Sequence, residues 1–229
     1  MEKIFKKHET TFVITLIIVY VVINSYLVQN FGYTSYQSAI VNTILSFLIL
    51  FLIISIKRVK YYGLTKPNNS KKFLYFIPLI IISLFNLRNG ININNSSSEI
   101  IFHILTMINI GFLEEIIFRG FLFKMMEKSN AKNAIKVSSI TFGMGHIVNL
   151  LNGADLIPTL LQICYAVSIG YMLVIIFYKS KSLIPCIIFH GVFNSLSIFG
   201  TGYSQIWTTL LLIFLCLSYT IYINKKYCD

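Results

Sequence analysis

The stretch Gly111-Phe112-Leu113-Glu114-Glu115-Ile116-Ile117-Phe118-Arg119-Gly120-Phe121-Leu122-Phe123 sets two carboxylates and a guanidinium inside an apolar run long enough to lie within a bilayer. Insertion scales charge roughly 2.5–3.5 kcal/mol for each ionised residue at the centre of a spanning helix, so such residues persist mainly when paired or used. At helical spacing Glu115 and Arg119 are i,i+4 neighbours with the acid N-terminal to the base, the better order for an ion pair. Glu114 points about 100° away and finds no partner on its own helix. One acid is thereby tied to structure and the other is free for chemistry.

Working outward, 56% hydrophobic residues, 12% charged residues and a mean hydropathy of +0.75 place the 229-residue chain among all-α polytopic membrane proteins. The net charge of +11 does not point to nucleic acid, because the bases lie between apolar runs rather than on one face of a soluble domain. The four cysteines, Cys164, Cys186, Cys216 and Cys228, are scattered and form no Cys-x-x-Cys pair, so neither disulfides nor a cysteine metal site is expected. Cys228 is followed by Asp229 alone, which leaves no room for a prenylation box.

Eight apolar segments follow one another: Thr11 to Val28, Ala39 to Ile56, Phe73 to Leu87, Ile100 to Phe123, Ala134 to Leu151, Leu156 to Tyr178, Leu183 to Phe199 and Ile206 to Ile223. The first follows Lys3, Lys6 and Lys7 but is too long for a signal sequence and lacks a small-x-small exit, so it reads as an uncleaved span. The third is short and is interrupted by Pro78. Every second connection is basic: Lys57 to Lys72 around Pro67, Asn68 and Asn69, then Lys124 to Lys136, Lys179 with Lys181, and Lys225 with Lys226. Apart from Arg119 inside its span, only Arg88 falls on the other side, so both termini are expected in the cytoplasm. Asn89 to Ser98 reads as a flexible external loop. Tyr61, Tyr62, Tyr178 and Tyr222 read as interfacial anchors, and the basic loops as contacts to anionic lipid. The whole chain, residues 1–229, is expected to be one integral-membrane domain.

Two further spans carry polar pairs that lipid would not tolerate. Phe142 and His146 stand at i,i+4 in the fifth segment, among glycines that let a neighbouring helix approach, and His190 and Asn194 stand at i,i+4 in the seventh. At 1.5 Å per residue from each basic end, Glu114 lies about 14 Å deep, His146 roughly 15–18 Å, His190 about 11 Å and Asn194 about 17 Å. They share one layer between the cytoplasmic face and the midplane. A carboxylate beside a neutral imidazole can take a proton from water, and His190 with Asn194 can donate to the oxyanion that attack on a carbonyl creates. Neither a Gly-x-Ser-x-Gly nor a His-Glu-x-x-His string is present.

Glu114-Glu115 with Arg119, then Phe142 with His146, then His190 with Asn194, in that order on an eight-span chain, resemble the CPBP intramembrane proteases. That family includes the CAAX prenyl endopeptidases and the bacterial Abi proteins of bacteriocin processing and immunity. The resemblance covers about residues 100–199. It implies water activation by Glu114 with His146, support from Glu115 and Arg119, and an oxyanion site from His190 and Asn194. It implies a peptide or lipidated-protein substrate cut near the cytoplasmic side of the cell membrane. A metal-free mechanism is favoured, with no cofactor; the alternative is one zinc held by Glu114, His146 and His190. A bacteriocin-immunity protein that acts by binding is the second functional reading. A proton-coupled transporter is a third, disfavoured because no inverted repeat is visible.

Overall fold

The structure is a computed structural model that describes residues 7–67, 76–201 and 206–226. Lys3, Lys6, Asn68, Asn69, Lys72, Cys228 and Asp229, named above, lie outside the described residues, as do the start of the third apolar segment and most of the loop before the last one. The described chain is helical throughout: α1 Glu9–Phe31, α2 Tyr36–Ser55, α3 Ile77–Ser83, α4 Ser97–Glu114, α5 Ala131–Met144, α6 Leu156–Ser180, α7 Ile184–Ser195 and α8 Ile206–Lys226. Short tight turns extend three of them, Leu84–Leu87 after α3, Gly145–Ile147 and Val148–Leu151 after α5, and Leu196–Phe199 after α7. In lipid the backbone must satisfy its own polar groups, and helices do so within one segment.

Among the described residues six helices are long and apolar enough to cross a membrane, and the protein is a multi-pass membrane protein. The expected eight spans differ from this at the third and seventh positions, where Ile77–Leu87 and Ile184–Phe199 are shorter apolar helices. Each has a proline as its second residue, Pro78 or Pro185, which suits a first turn but cannot continue an earlier one.

α4 does not stop at Glu114. Glu115–Phe123 continues it as a π-helix, and Lys124–Glu127 closes it as a last α turn. All nine residues of the wider stretch are buried, and the Ser138 hydroxyl of α5 donates to the Phe118 carbonyl at 2.9 Å. π-helical turns are rare and recur at functional sites.

Ion pairs Lys128–Glu9, Lys124–Glu127 and Lys181–Glu127 bring the start of α1 and the ends of α4 and α6 to one basic face. That face is plugged. Gly63, at φ 73°, lets the α2–α3 link pass where a Cβ would lie 2.5 Å from Phe177 Cε2, and its carbonyl accepts from the Leu183 N–H at 2.8 Å. Tyr62, expected as an interfacial anchor, is instead fully buried with its ring 4.7 Å from that of Phe121. On the opposite, lysine-poor face the stretch expected to be a flexible loop is clasped. Asn92 N–H donates to the Phe199 carbonyl at 2.8 Å, Thr201 Oγ1 to the Asn89 carbonyl at 2.7 Å, and Ile91 bridges Gly200. Cys186 and Cys216 are buried free thiols and Cys164 an exposed one.

Candidate active site

The site starts from two glycines. A Cβ on Gly111 of α4 would lie 2.7 Å from the backbone N of Gly191, so α4 and α7 touch backbone to backbone there. Small residues permit such contact between membrane helices. The contact brings His190, next to Gly191, against the acids one turn along α4. His190 Nδ1 lies 2.8 Å from Glu115 Oε1, and Nε2 lies 3.5 Å from Glu114 Oε2. With Nδ1–H given to Glu115, a neutral His190 presents the lone pair of Nε2 to the gap facing Glu114.

Behind this pair Arg119 Nη1 lies 3.1 Å from the same Glu115 oxygen, both side chains being 0% exposed. Among the described residues Arg119 Nε and Nη2 have no hydrogen-bond partner. The guanidinium sits over the Phe142 ring at 4.2 Å, where the π face meets a desolvated cation. Gly170 of α6 leaves the space, since a Cβ there would lie 3.0 Å from Phe142 Cδ1 and 3.2 Å from Arg119 Nη2. Gly143 similarly lets α5 close on α6, its Cβ position falling 2.4 Å from Val167 Cγ2. Phe142 is thereby held edge-on to both imidazoles, His190 at 5.6 Å and His146 at 6.0 Å between centroids.

Glu114 has two neighbours that the motifs did not supply in these roles. The Tyr20 hydroxyl, from α1, donates to Glu114 Oε1 at 3.0 Å. The imidazole nitrogen within ion-pair distance of Glu114 is Nε2 of His190. His146 Nδ1 instead accepts from Gln162 Nε2 at 3.3 Å, and Gln162 Oε1 accepts from Asn149 Nδ2 at 2.9 Å. This chain leaves the His146 proton on Nε2. Asn194 stands one turn beyond His190 and shares a cavity of about 290 Å³ with Glu114, His146, His190, Tyr20 and Gln162. The six residues singled out in the sequence thus converge, four of them on the cavity and Glu115 with Arg119 behind it. Tyr20 and Gln162 escaped the sequence reading. A signal existed for Tyr20, a hydroxyl midway along an apolar helix rather than at its end.

Along the continuous helix from Ser97 to Glu127, Glu114 lies 17 residues from the first end and 13 from the basic end. Among the described residues no three of His, Cys, Asp and Glu are grouped to hold a metal, and His146 Nδ1 pairs with Gln162.

The chemistry of this arrangement is that of a carboxylate open to a cavity, an imidazole fixed by a second buried carboxylate, and amide donors alongside. Residues 96–196 match the family model described as Rce1-like, type II CAAX prenyl endopeptidase Rce1-like. That segment is similar to the CAAX proteases. The match runs from the residue before α4 to the turn after α7, so the matched segment contains Glu114, Glu115, Arg119, His146, His190 and Asn194, while Tyr20 lies outside it. The family is one of proteases, which supports peptidase activity in general terms. Neither the curated proteins nor the solved structures give a match.

Proposed function

We propose that this protein is an intramembrane endopeptidase of the cell membrane in which Glu114 activates water. The observation that carries the reading is the His190 imidazole held between consecutive acids, Nδ1 on Glu115 and Nε2 across a 3.5 Å gap from Glu114 Oε2. Glu114 takes one proton as the water oxygen attacks the peptide carbonyl carbon. The Asn194 amide and the Nε2–H of His146 donate to the resulting oxyanion. The proton passes to His190 Nε2, where Glu115 stabilises the imidazolium. It is then delivered to the amine nitrogen as the C–N bond breaks. Arg119 supplies the buried counter-charge to Glu115. No step is routed through a metal.

The test is hydrolysis of a panel of membrane-associated peptides by the purified protein, with wild type beside Glu114→Gln and each with and without a strong chelator. Cleavage by wild type alone, unchanged by the chelator, is expected. Loss of activity in the chelator that added zinc restores would overturn the metal-free mechanism. If neither protein cuts and both protect a sensitive cell from a bacteriocin equally, the binding-only immunity reading replaces the hydrolase.

A further inference from the structure

The two ends of the bundle are built differently. Toward the basic face Ile116, Ile117, Arg119, Phe121, Phe123 and Tyr62 are at most 1% exposed, and α6 is buried almost continuously from Ser168 to Phe177. Among the described residues none from the lysine-bearing connections lines the cavity. Its lining runs from a floor of Glu114, Phe118 and Phe142 outward past Asn24 to Tyr33, in the α1–α2 loop, and Asn152, in the α5–α6 loop. Those two loops lie at the lysine-poor ends of their helices. A close-packed interior has few voids larger than a water molecule, so the plugged half offers no path to Glu114.

We infer that water and substrate reach Glu114 from the lysine-poor face of the membrane, and that the segment bound there is an uncharged, extended stretch of peptide backbone. The excess of Lys and Arg on the opposite connections makes the lysine-poor face the non-cytoplasmic one. The substrate half of the inference rests on the hydrolase reading; the access half does not. Chemistry of the walls decides the occupant. Asn24, Asn149, Gln162 and Asn194 supply amides, and Tyr33 and Tyr165 supply hydroxyls, which pair with both the N–H and the C=O of a peptide unit. Among the described residues no Lys, Arg or Asp lines the cavity and Glu114 is its one acid, so a charged substrate side chain would lose its water without gaining a partner. Val21, Val28, Met107 and Ile110 on the same wall face the apolar side chains of such a segment. At about 290 Å³ the cavity is at the small end of ligand pockets and takes a short segment rather than a folded one.

Access can be read without any substrate. In a background carrying Cys164→Ser and Cys228→Ser, with the buried Cys186 and Cys216 left in place, Ala166→Cys puts a thiol on the cavity wall about 15 Å from the start of α6. Asn24→Cys on α1 is a second reporter should the first fail to fold. Lys132→Cys marks the basic face. Restored Cys164, exposed on the outer surface of α6, marks lipid. A membrane-impermeant maleimide added to intact cells is expected to label either cavity thiol at least tenfold faster than Cys164. Lys132→Cys should label in inverted vesicles alone.

Labelling of the cavity thiols from the side that labels Lys132→Cys, or from neither side, overturns the access route. The purified protein is then given matched peptides that are neutral, that carry Lys beside the scissile bond, or that are prenylated. The neutral form is expected to be cut at least tenfold faster, and blocked once the cavity thiol is labelled. Preference for the prenylated form overturns backbone recognition. Correct labelling with no cleavage of any peptide overturns the hydrolase reading and leaves the access route standing.

Discussion

His190 Nδ1 lies 2.8 Å from Glu115 Oε1, and that oxygen is also the one 3.1 Å from Arg119 Nη1. One buried carboxylate oxygen therefore ties three residues, and its neighbour in sequence, Glu114, is left facing the cavity with Tyr20. The two acids should fail in different ways. Glu115→Gln leaves a guanidinium buried without its counter-charge, which costs about 3–5 kcal/mol, so a large fall in thermal stability in detergent is expected along with lost activity. Glu114→Gln keeps an acceptor for Tyr20 and strands no cation, so activity should vanish with the melting temperature nearly unchanged. Equal melting losses in the two variants would show that Glu114 is structural.

Tyr20→Phe removes the hydroxyl that orients Glu114 and changes nothing else in the apolar face of α1. Hydrogen bonds to charged groups contribute about 1.5–3 kcal/mol, so kcat should fall about tenfold or more while peptide KM holds. Steady-state kinetics on one cleaved peptide decide it. A wild-type kcat would remove Tyr20 from the site's support.

Gly111→Ala and Gly191→Ala form a matched pair across one helix contact. The new methyl at 111 falls 2.7 Å from the Gly191 nitrogen, against backbone that cannot rotate away, whereas at 191 it falls 3.4 Å from Ile108 Cα, an ordinary contact. Overpacking of this kind costs about 1–3 kcal/mol. Gly111→Ala should lose both stability and activity by prying His190 from the acids, and Gly191→Ala should retain both. Equivalent behaviour in melting and cleavage assays would contradict the close crossing of α4 and α7.

Asn194→Ala deletes an amide assigned to the oxyanion. Loss of one such donor costs about 10²–10³ in kcat, and the substitution should leave KM and the melting temperature close to wild type. A rise in KM with kcat intact would make Asn194 a substrate-positioning residue instead.

The polar pairs were readable because each is local: a carboxylate, imidazole or amide at helical spacing stands out in an apolar run. Less readable were groups whose meaning depends on another helix. Tyr20 has no polar partner at i,i+4 that names a motif other than Asn24, and its value comes from meeting Glu114 on α4, 94 positions away. Gln162 matters because it takes the Nδ1 of His146. The π turn at Glu115–Phe123 depends on packing, including the Ser138 hydroxyl that satisfies Phe118 from α5.

Composition and the run of apolar segments were enough to make this an all-helical, multi-pass membrane protein, because a backbone in hydrocarbon must close its own hydrogen bonds. The ordered motifs on α4, α5 and α7 were enough to point to the family that residues 96–196 match. Which imidazole meets which acid was decided by glycine contacts that let helices approach within a few ångströms. Which half of the bundle is open was decided by how side-chain volumes fill the space between helices. Sequence spacing gives position along one helix; only the packed bundle gives the distance between two.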